Sequence, residues 1–248
     1  MTDNDAYYAP GAGLDLSARC LVIGQLGQSL DGRVATLSGE SKYISGAHAL
    51  DHLHRLRAAV DAVLVGVGTV VADDPLLNVR RVEGCNPARV VLDPSGRLDP
   101  QARCLADDGA RRLVLRRLGA GGALPPGVEV LPLRPEADGR MAPHAILAAL
   151  RAAGLNRILV EGGPATLAAF LEAGALDRLH VVVSPVILGS GRTGLDLRPI
   201  AGLSEALRPH ARVTVFPDGD VLFDCDMRRA AREESHAPQR EDALFGAG

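Results

Sequence analysis

The residues with the strongest chemical pattern in this sequence are those of segment 158–167, which reads ILVEGGPATL. Three apolar residues precede Glu161, two glycines follow it, and Pro164 opens a run with helical character. The pattern predicts a buried strand that enters a helix through a short turn, with Pro164 at the first helical position, where its missing N–H is not needed. Unpaired N–H groups and the dipole at such a helix N-terminus favour an anion, and glycine lets a phosphate approach the backbone. We interpret this turn as a phosphate-binding site.

Glu161 is the acidic residue of this turn. It stands at the carboxyl end of its predicted strand, where open α/β sheets place their chemistry. A carboxylate at the end of a buried strand must reach solvent or find partners, because isolated burial is costly. One interpretation is that Glu161 fixes polar groups of a ligand. The alternative is that it stays solvated or accepts neighbouring backbone N–H groups and only shapes the turn.

Other predicted strands also end in turns that carry small, acidic or basic residues. Each has a structural alternative: Asp31-Gly32 is a common turn, Asp73-Asp74-Pro75 ends a helix, and Arg57 and Arg80 are surface charges. Thr69 is positioned to cap a short helix. The turn segments are 24–33 (GQLGQSLDGR), 38–45 (SGESKYIS), 66–80 (GVGTVVADDPLLNVR) and 89–97 (RVVLDPSGR).

The composition restricts the class of protein. The chain has 248 residues, of which 47% are hydrophobic and only 3% aromatic, so aliphatic side chains must build the core. A net charge of −3 argues against nucleic acid or an anionic membrane as the partner. No apolar run approaches the length of a membrane span, and the N-terminus is unlike a signal peptide, so we expect a soluble cytoplasmic protein.

The cysteines and histidines do not predict a metal centre. The four cysteines are scattered without a CxxC pair, which argues against structural zinc and against a disulfide framework. His48 and His52 have the i, i+4 spacing of a metal-binding pair but lack the glutamate of an HExxH motif. We therefore expect no metal site.

Apolar runs and stop signals predict strands that alternate with helices, followed by an antiparallel hairpin at Asp218-Gly219. This order favours an α/β fold with a largely parallel central sheet, flanking helices and an antiparallel C-terminal edge. Residues 117–140, rich in glycine and proline, are interpreted as a long connection. The predicted strands are Cys20–Leu26, Ala62–Val67, Arg89–Leu92, Arg112–Leu115, Arg157–Val160 and Leu179–Ser184, and the predicted helices are Ala47–Val60, Pro143–Ala153 and Pro164–Ala173.

The ends of the chain differ in composition from its centre. Residues 1–17 are acidic and polar and are predicted to be a loose leader, whereas the charged residues 228–248 are predicted to be a disordered tail. Residues 18–227 are predicted to form one domain.

Taken in order, these segments resemble the reductase domain of bacterial riboflavin biosynthesis. This domain is the C-terminal half of a bifunctional deaminase–reductase, also occurs as a stand-alone enzyme, and has a dihydrofolate-reductase-like fold. The resemblance covers residues 19–226 and is strongest in GVGTVVADDPLLNVR and VEGGPATLAAFLEAG. The HxE…PCxxC signature of zinc deaminases is absent from the sequence, so deamination chemistry is not expected on this chain.

The resemblance implies that a homodimer reduces the ribosyl group of a 5-amino-6-ribosylaminopyrimidine 5′-phosphate to a ribityl chain with NADPH. The family often has tryptophan where this chain has Tyr43, and a polar residue where it has Pro94. By resemblance, the cofactor would contact Gly27, Tyr43, Thr69, Asp73, Gly163, Pro164, Ala165, Thr166 and Leu167, and the substrate would contact Ser41, Arg57, Leu77, Arg80 and Glu161. A homodimer would also cover the apolar edge of the sheet that the C-terminal hairpin supplies. The residues of this edge are Val213, Val215, Val221 and Phe223.

The implied reaction assigns roles to a few polar side chains. Hydride transfer needs the sugar in an open, imine-like form, and a general acid that protonates the departing ring oxygen makes opening easier. We expect Lys42, Glu161 and Asp73 to be the catalytic groups, and Arg57 and Arg80 to bind the 5′-phosphate through charge-assisted hydrogen bonds. Two alternatives are a reductase of the same fold that acts on another pterin- or pyrimidine-like substrate, and a non-catalytic nucleotide-binding module.

Overall fold

The computed structural model describes residues 18–42, 44–161 and 163–228. The predicted leader, Tyr43, and all of the predicted tail except Arg228 lie outside the described residues. The strands are β1 Leu21–Ser29, β2 Arg33–Thr36, β3 Ala62–Gly66, β4 Ala88–Leu92, β5 Arg112–Arg117, β6 Val128–Leu133, β7 Arg157–Glu161, β8 Arg178–Ser184, β9 Gly191–Thr193, β10 His210–Val215 and β11 Val221–Asp226. The α-helices are α1 Ala47–Ala59, α2 Val67–Asp73, α3 Pro143–Ala152 and α4 Pro164–Glu172.

Nine of these strands form one sheet in the order β10-β11-β8-β1-β7-β3-β4-β5-β6. All neighbours from β8 to β6 are parallel, whereas β11 is antiparallel to β8 and to β10. The hairpin between β10 and β11 turns at Asp218-Gly219, where the Gly219 N–H donates to the Phe216 carbonyl. The predicted fold class, a largely parallel sheet with an antiparallel C-terminal edge, is confirmed.

The sheet is buried on both faces, and residues 62–65 of β3 are apolar and buried at every position. Val63 and Val65 of β3 lie in one core cluster, whereas Ala62 and Leu64 lie in the other. Helices α1 and α2 pack on the first face, and α3 and α4 pack on the second. They contribute Leu56 and Val70 to the first cluster, and Ile146 and Phe170 to the second.

Every strand and helix named in the sequence prediction is present, and the largest shift is at β1, which ends at Ser29 instead of Leu26. Residues 117–140 were wrongly predicted to be only a connection, since they contain β6. Among the described strands it pairs only with β5, and its residues are exposed or half-buried, as expected of an edge strand. Its Pro132 is tolerated because an edge strand can do without one ladder N–H.

Two further strands, β2 and β9, form a small antiparallel sheet that local sequence patterns did not predict. They are four and three residues long, too short for a periodicity to be recognised. Among the described residues, no helix is long and apolar enough to cross a membrane.

Candidate active site

Two cavities open beside the carboxyl ends of β1, β3 and β7. The first, of about 570 Å³, is bordered by the glycine-rich turns at Gly66 and Gly163, and we name it the glycine cavity. The second, of about 510 Å³, contains Arg57, Arg80 and Arg103, and we name it the arginine cavity. Residues that line both are Gln25, Gly27, Val34, Ser41, Thr69 and Asp73. The two cavities are therefore parts of one cleft.

The glycine cavity contains the N-terminus of α4. Pro164 occupies the first turn of this helix, as predicted, and the N–H of Gly163 donates to Thr69 Oγ1 over 2.8 Å. The N–H of Ala165 has no acceptor among the described residues. Because Ala165 lines the cavity at the positive end of the helix dipole, this donor is suited to an anion.

Close backbone approach explains two of the glycines. A Cβ on Gly66 would lie 2.5 Å from Thr166 Oγ1, so only glycine lets the end of β3 come this close to α4. A Cβ on Gly163 would lie 2.9 Å from Thr69 Oγ1.

Most residues predicted to contact the cofactor line the glycine cavity, but Leu167 does not, and the prediction that Thr69 caps a helix is wrong. The Leu167 side chain is fully buried in the core, because its helical position faces the sheet instead of the cavity. Thr69 lies inside α2 and is not its cap, since the helix already begins at Val67. The predicted cofactor residues that line the cavity are Gly27, Thr69, Asp73, Gly163, Pro164, Ala165 and Thr166.

The arginine cavity is organised by a buried ion pair between Arg57 of α1 and Glu161 of β7. Arg57 donates from Nε to Glu161 Oε1 over 2.7 Å and from Nη2 to Oε2 over 2.6 Å. Each side chain is only 7% exposed. Burial alone lowers the pKa of Arg57, but the charge and hydrogen bonds of Glu161 outweigh it and raise that pKa overall. The Arg57 guanidinium is therefore held in its charged form.

This pair overturns the structural alternative for Arg57. Arg57 is not a solvated surface charge, and it donates a third hydrogen bond, from Nη1 to the Asn78 carbonyl over 3.0 Å. The Glu161 carboxylate is not solvated, because it is buried and accepts from Arg57 Nε and Nη2. The pair holds the Glu161 carboxylate in a fixed orientation at the edge of the arginine cavity.

Arg80 and Arg103 provide further positive charge in this cavity. Arg80 is exposed, and its Nη1 donates to Asn78 Oδ1 over 2.9 Å. Burial of part of its side chain and the neighbouring charges of Arg57 and Arg103 lower the pKa of Arg80. Three guanidinium groups in one cavity repel each other, and an anion placed between them would relieve that repulsion.

Sequence reasoning missed Arg103, which lies in a 3-10 helix spanning Arg103–Leu105 after β4. Its backbone N–H donates to Asp74 Oδ1 over 2.8 Å, which attaches this segment to the end of α2. No local pattern marks Arg103 as a site residue, since the contact joins residues 29 positions apart.

The remaining predicted substrate residues also lie in the arginine cavity. Ser41, Lys42 and Leu77 line it, and Lys42 is exposed. Leu77 is buried, and its φ of 56° lies in the left-handed region of backbone conformation, which residues other than glycine seldom adopt. Such strain persists where surrounding contacts impose it and is common at ligand sites.

The histidines on α1 have protein partners. His52 is fully buried, and its Nε2 lies 3.1 Å from His180 Nδ1. His48 Nδ1 lies 3.1 Å from Asp218 Oδ2. Within the described ranges, no group of three metal-ligating side chains is assembled.

Comparison with known proteins identifies the family. The sequence model of the RibD C-terminal domain matches residues 21–212. The chain is 36% identical over 217 residues to the 2,5-diamino-6-ribosylamino-4(3H)-pyrimidinone 5′-phosphate reductase of Methanothermobacter thermautotrophicus, covering 83% of this chain and 97% of that protein. It is 37% identical over 185 residues to the riboflavin biosynthesis protein RibD of Mycobacterium tuberculosis, covering 73% of this chain and 46% of that protein.

Solved structures agree with this assignment. The Thermotoga maritima deaminase/5-amino-6-(5-phosphoribosylamino)uracil reductase superposes with a TM-score of 0.70 at 30% identity, covering 84% of this chain and 56% of that one. The riboflavin biosynthesis reductase Rib7 of Saccharomyces cerevisiae has the same fold, with a TM-score of 0.71 at 20% identity, covering 90% and 97%. The chain spans about half the length of its RibD relatives but nearly all of the archaeal reductase. It therefore belongs to the RibD C-terminal domain family, the reductases of riboflavin biosynthesis.

Proposed function

We propose that this chain is a cytoplasmic NADPH-dependent reductase that converts the ribosyl group of a 5-amino-6-ribosylaminopyrimidine 5′-phosphate to a ribityl chain. The observation that carries the proposal is the continuous cleft, in which an anion-binding helix N-terminus adjoins a cavity with three arginines. Hydride transfer between two bound molecules needs such adjoining sites, because the reacting carbons must be held close together. The archaeal relative is named for a substrate of this class.

The glycine cavity fits a nicotinamide dinucleotide. Its anion-binding donor, the Ala165 N–H, would face the diphosphate, and the nicotinamide ring would supply a hydride at the junction near Thr69 and Asp73. Arg97 and Arg192 also line this cavity and are exposed, so it offers two guanidinium groups for phosphate. Because NADPH carries a 2′-phosphate that NADH lacks, these additional positive charges favour NADPH over NADH.

The arginine cavity fits the phosphorylated pyrimidine substrate. Arg80 and Arg103 would bind the 5′-phosphate, whereas Arg57 is engaged with Glu161 and would position that carboxylate toward the sugar or the ring. Lys42 and Asp73 line the same cavity and are the candidates to protonate the ring oxygen of the sugar when it opens.

The direct test is the oxidation of NADPH by the purified chain with each of two substrates, the deaminated and the non-deaminated pyrimidine phosphate. Turnover with one of them supports the proposal and identifies the substrate. A folded chain that binds NADPH but oxidises it with neither pyrimidine would contradict the proposed reaction.

We predict that Arg80→Ala raises the KM for the phosphorylated substrate by about tenfold to a hundredfold, since a charge-assisted hydrogen bond is worth about 1.5–3 kcal/mol. The dephosphorylated analogue should show little change in KM. The matched control is Arg81→Ala, because Arg81 is paired with Asp51 over 2.7 Å and does not line the cavity. Equal loss of activity on both substrates would assign Arg80 to folding or to cofactor binding instead.

We also propose that the chain is a homodimer. β10 is an edge strand with exposed apolar side chains: Val213 is 53% exposed and Val215 is 67% exposed. Uncovered edges of this kind tend to pair with another chain. Light scattering is expected to give twice the 25.9 kDa mass of one chain, and Val215→Lys is expected to shift the mass toward one chain. A wild-type mass of one chain at micromolar concentration would contradict the dimer.

A further inference from the structure

The small sheet of β2 and β9 forms one wall of the glycine cavity. Val34 and Ala35 of β2 and Arg192 of β9 line the cavity, and Ala35 pairs with Arg192 in the sheet. β2 begins four residues after β1 ends, and β9 follows the segment after β8. The position of this wall therefore depends on how the turn 29–33 is attached to the segment 186–191.

Asp31 makes that attachment. Its Oδ1 accepts from Ser29 Oγ over 2.6 Å and from the Leu188 N–H over 3.1 Å, and its Oδ2 accepts from the Gly189 N–H over 2.7 Å. These hydrogen bonds, led by the one from Ser29, lower the pKa of Asp31 to about 2. The carboxylate is therefore charged throughout the physiological range, and it joins two segments that lie about 157 residues apart.

Two further hydrogen bonds support the same attachment. Arg33 Nε donates to the Gly189 carbonyl over 3.1 Å, and the Leu30 N–H donates to the Val186 carbonyl over 2.8 Å. Gly189 lies two residues before the start of β9 and three before Arg192. A change at Asp31 would therefore be transmitted directly to Arg192.

The Arg192 guanidinium is available to a ligand. It makes no hydrogen bond or ion pair with any described residue, and it is exposed on the cavity wall. A Cβ built on Gly39 would lie 3.4 Å from Arg192 Nη2, so this glycine leaves room for the guanidinium. An unpaired guanidinium on the wall of a cavity with an anion-binding helix N-terminus is suited to bidentate contact with phosphate.

We propose that Arg192 binds a phosphate group of the nucleotide cofactor, and that Asp31 is the positioning residue that holds Arg192 in place. This inference rests on the proposed function, since it requires the glycine cavity to bind NADPH. The phosphate is either the diphosphate common to all nicotinamide dinucleotides or the 2′-phosphate found only in NADPH.

The first test is fluorescence titration of Arg192→Gln with NADPH and with NADH. We expect the Kd for NADPH to rise about tenfold or more, because one charge-assisted contact is lost. An equal rise for NADH identifies the diphosphate, and a rise for NADPH alone identifies the 2′-phosphate. The control is Arg134→Gln, which removes an exposed arginine that lines neither cavity. An unchanged Kd for both nucleotides would overturn the inference.

The second test is a double-mutant cycle between Asp31→Asn and Arg192→Gln, read as the Kd for NADPH. If Asp31 acts through Arg192, Asp31→Asn weakens NADPH binding, and the double variant is no weaker than Arg192→Gln alone. In steady-state assays, the same loss should appear as a higher KM for NADPH in both single variants. Additive losses in the double variant would overturn the positioning role.

These outcomes separate the inference from the proposed function. Arg192 is exposed, so its variant does not depend on the stability of the core, and the first test holds even where Asp31→Asn fails to fold. A wild-type chain that binds neither nucleotide would contradict both proposals. A wild-type chain that binds NADPH and an Arg192→Gln chain that binds it equally well would overturn this inference alone.

Discussion

Replacement of Glu161 by glutamine is expected to lower kcat/KM at least about tenfold, which corresponds to about 1.4 kcal/mol of transition-state stabilisation. It is also expected to lower the free energy of unfolding by about 3 kcal/mol, because the substitution leaves the Arg57 guanidinium buried without its counter-charge. For a domain of this size, the Tm should fall by about 6–12 °C. Activity and thermal unfolding are the two measurements.

The expected fall in Tm follows from the buried ion pair with Arg57 and not from Glu161 alone. Considered as an isolated residue at a strand end, Glu161 gives no reason to expect a change in Tm. Its pairing with Arg57, in which each side chain is 7% exposed, supplies that reason. Glu129→Gln is the control, since Glu129 also pairs with an arginine, Arg111, but both side chains are about half exposed. Loss of an exposed pair should cost about 1 kcal/mol or less.

A double substitution separates structure from chemistry at this pair. Replacing both partners by apolar residues, as in Arg57→Met with Glu161→Leu, removes the unpaired charge and is expected to restore most of the lost stability. Activity should remain low, because neither apolar side chain can orient the substrate. A double variant that regains both stability and turnover would show that Glu161 serves only the scaffold, contrary to its proposed role.

The Gly163→Asp substitution is expected to weaken NADPH binding by about 2–3 kcal/mol, or about 30- to 150-fold in Kd. The new carboxylate would stand at the N-terminus of α4, where it repels the cofactor diphosphate and competes for the Ala165 N–H. Its Cβ would also lie 2.9 Å from Thr69 Oγ1, so the hydroxyl that accepts from Gly163 must move. Fluorescence titration with NADPH measures the effect.

Two further variants separate the steric effect of Gly163→Asp on NADPH binding from its electrostatic effect. Gly163→Ala introduces the Cβ without the charge, so the difference between the alanine and aspartate variants gives the electrostatic part. Gly121→Asp adds the same charge at a glycine with open space around it and no contact with either cavity, and should leave NADPH affinity unchanged. An unchanged Kd in folded Gly163→Asp would show that the cofactor phosphates do not lie at α4.

The sequence by itself determined the helices, most strands of the main sheet and the family. Apolar runs such as 62–65 and 158–160 mark strands that are buried on both faces, because continuous burial leaves no position for polar side chains. Glycine and proline mark the ends of helices, because glycine permits a positive φ and proline has no backbone N–H to donate. The order of the glycine-rich and polar turns was sufficient to indicate the reductase family and the residues that line its cleft.

Only the tertiary structure decided how the charged side chains are paired. Arg57 and Glu161 are 104 residues apart, and Asp31 lies 158 residues from Gly189. Each pair meets because the sheet places strands that are distant in the chain side by side, with β7 between β1 and β3 and β8 beside β1. Local sequence patterns report burial and turn geometry within a few residues, whereas these contacts depend on strand order. The contacts of Arg57, Arg103 and Asp31 therefore became visible only in the folded chain.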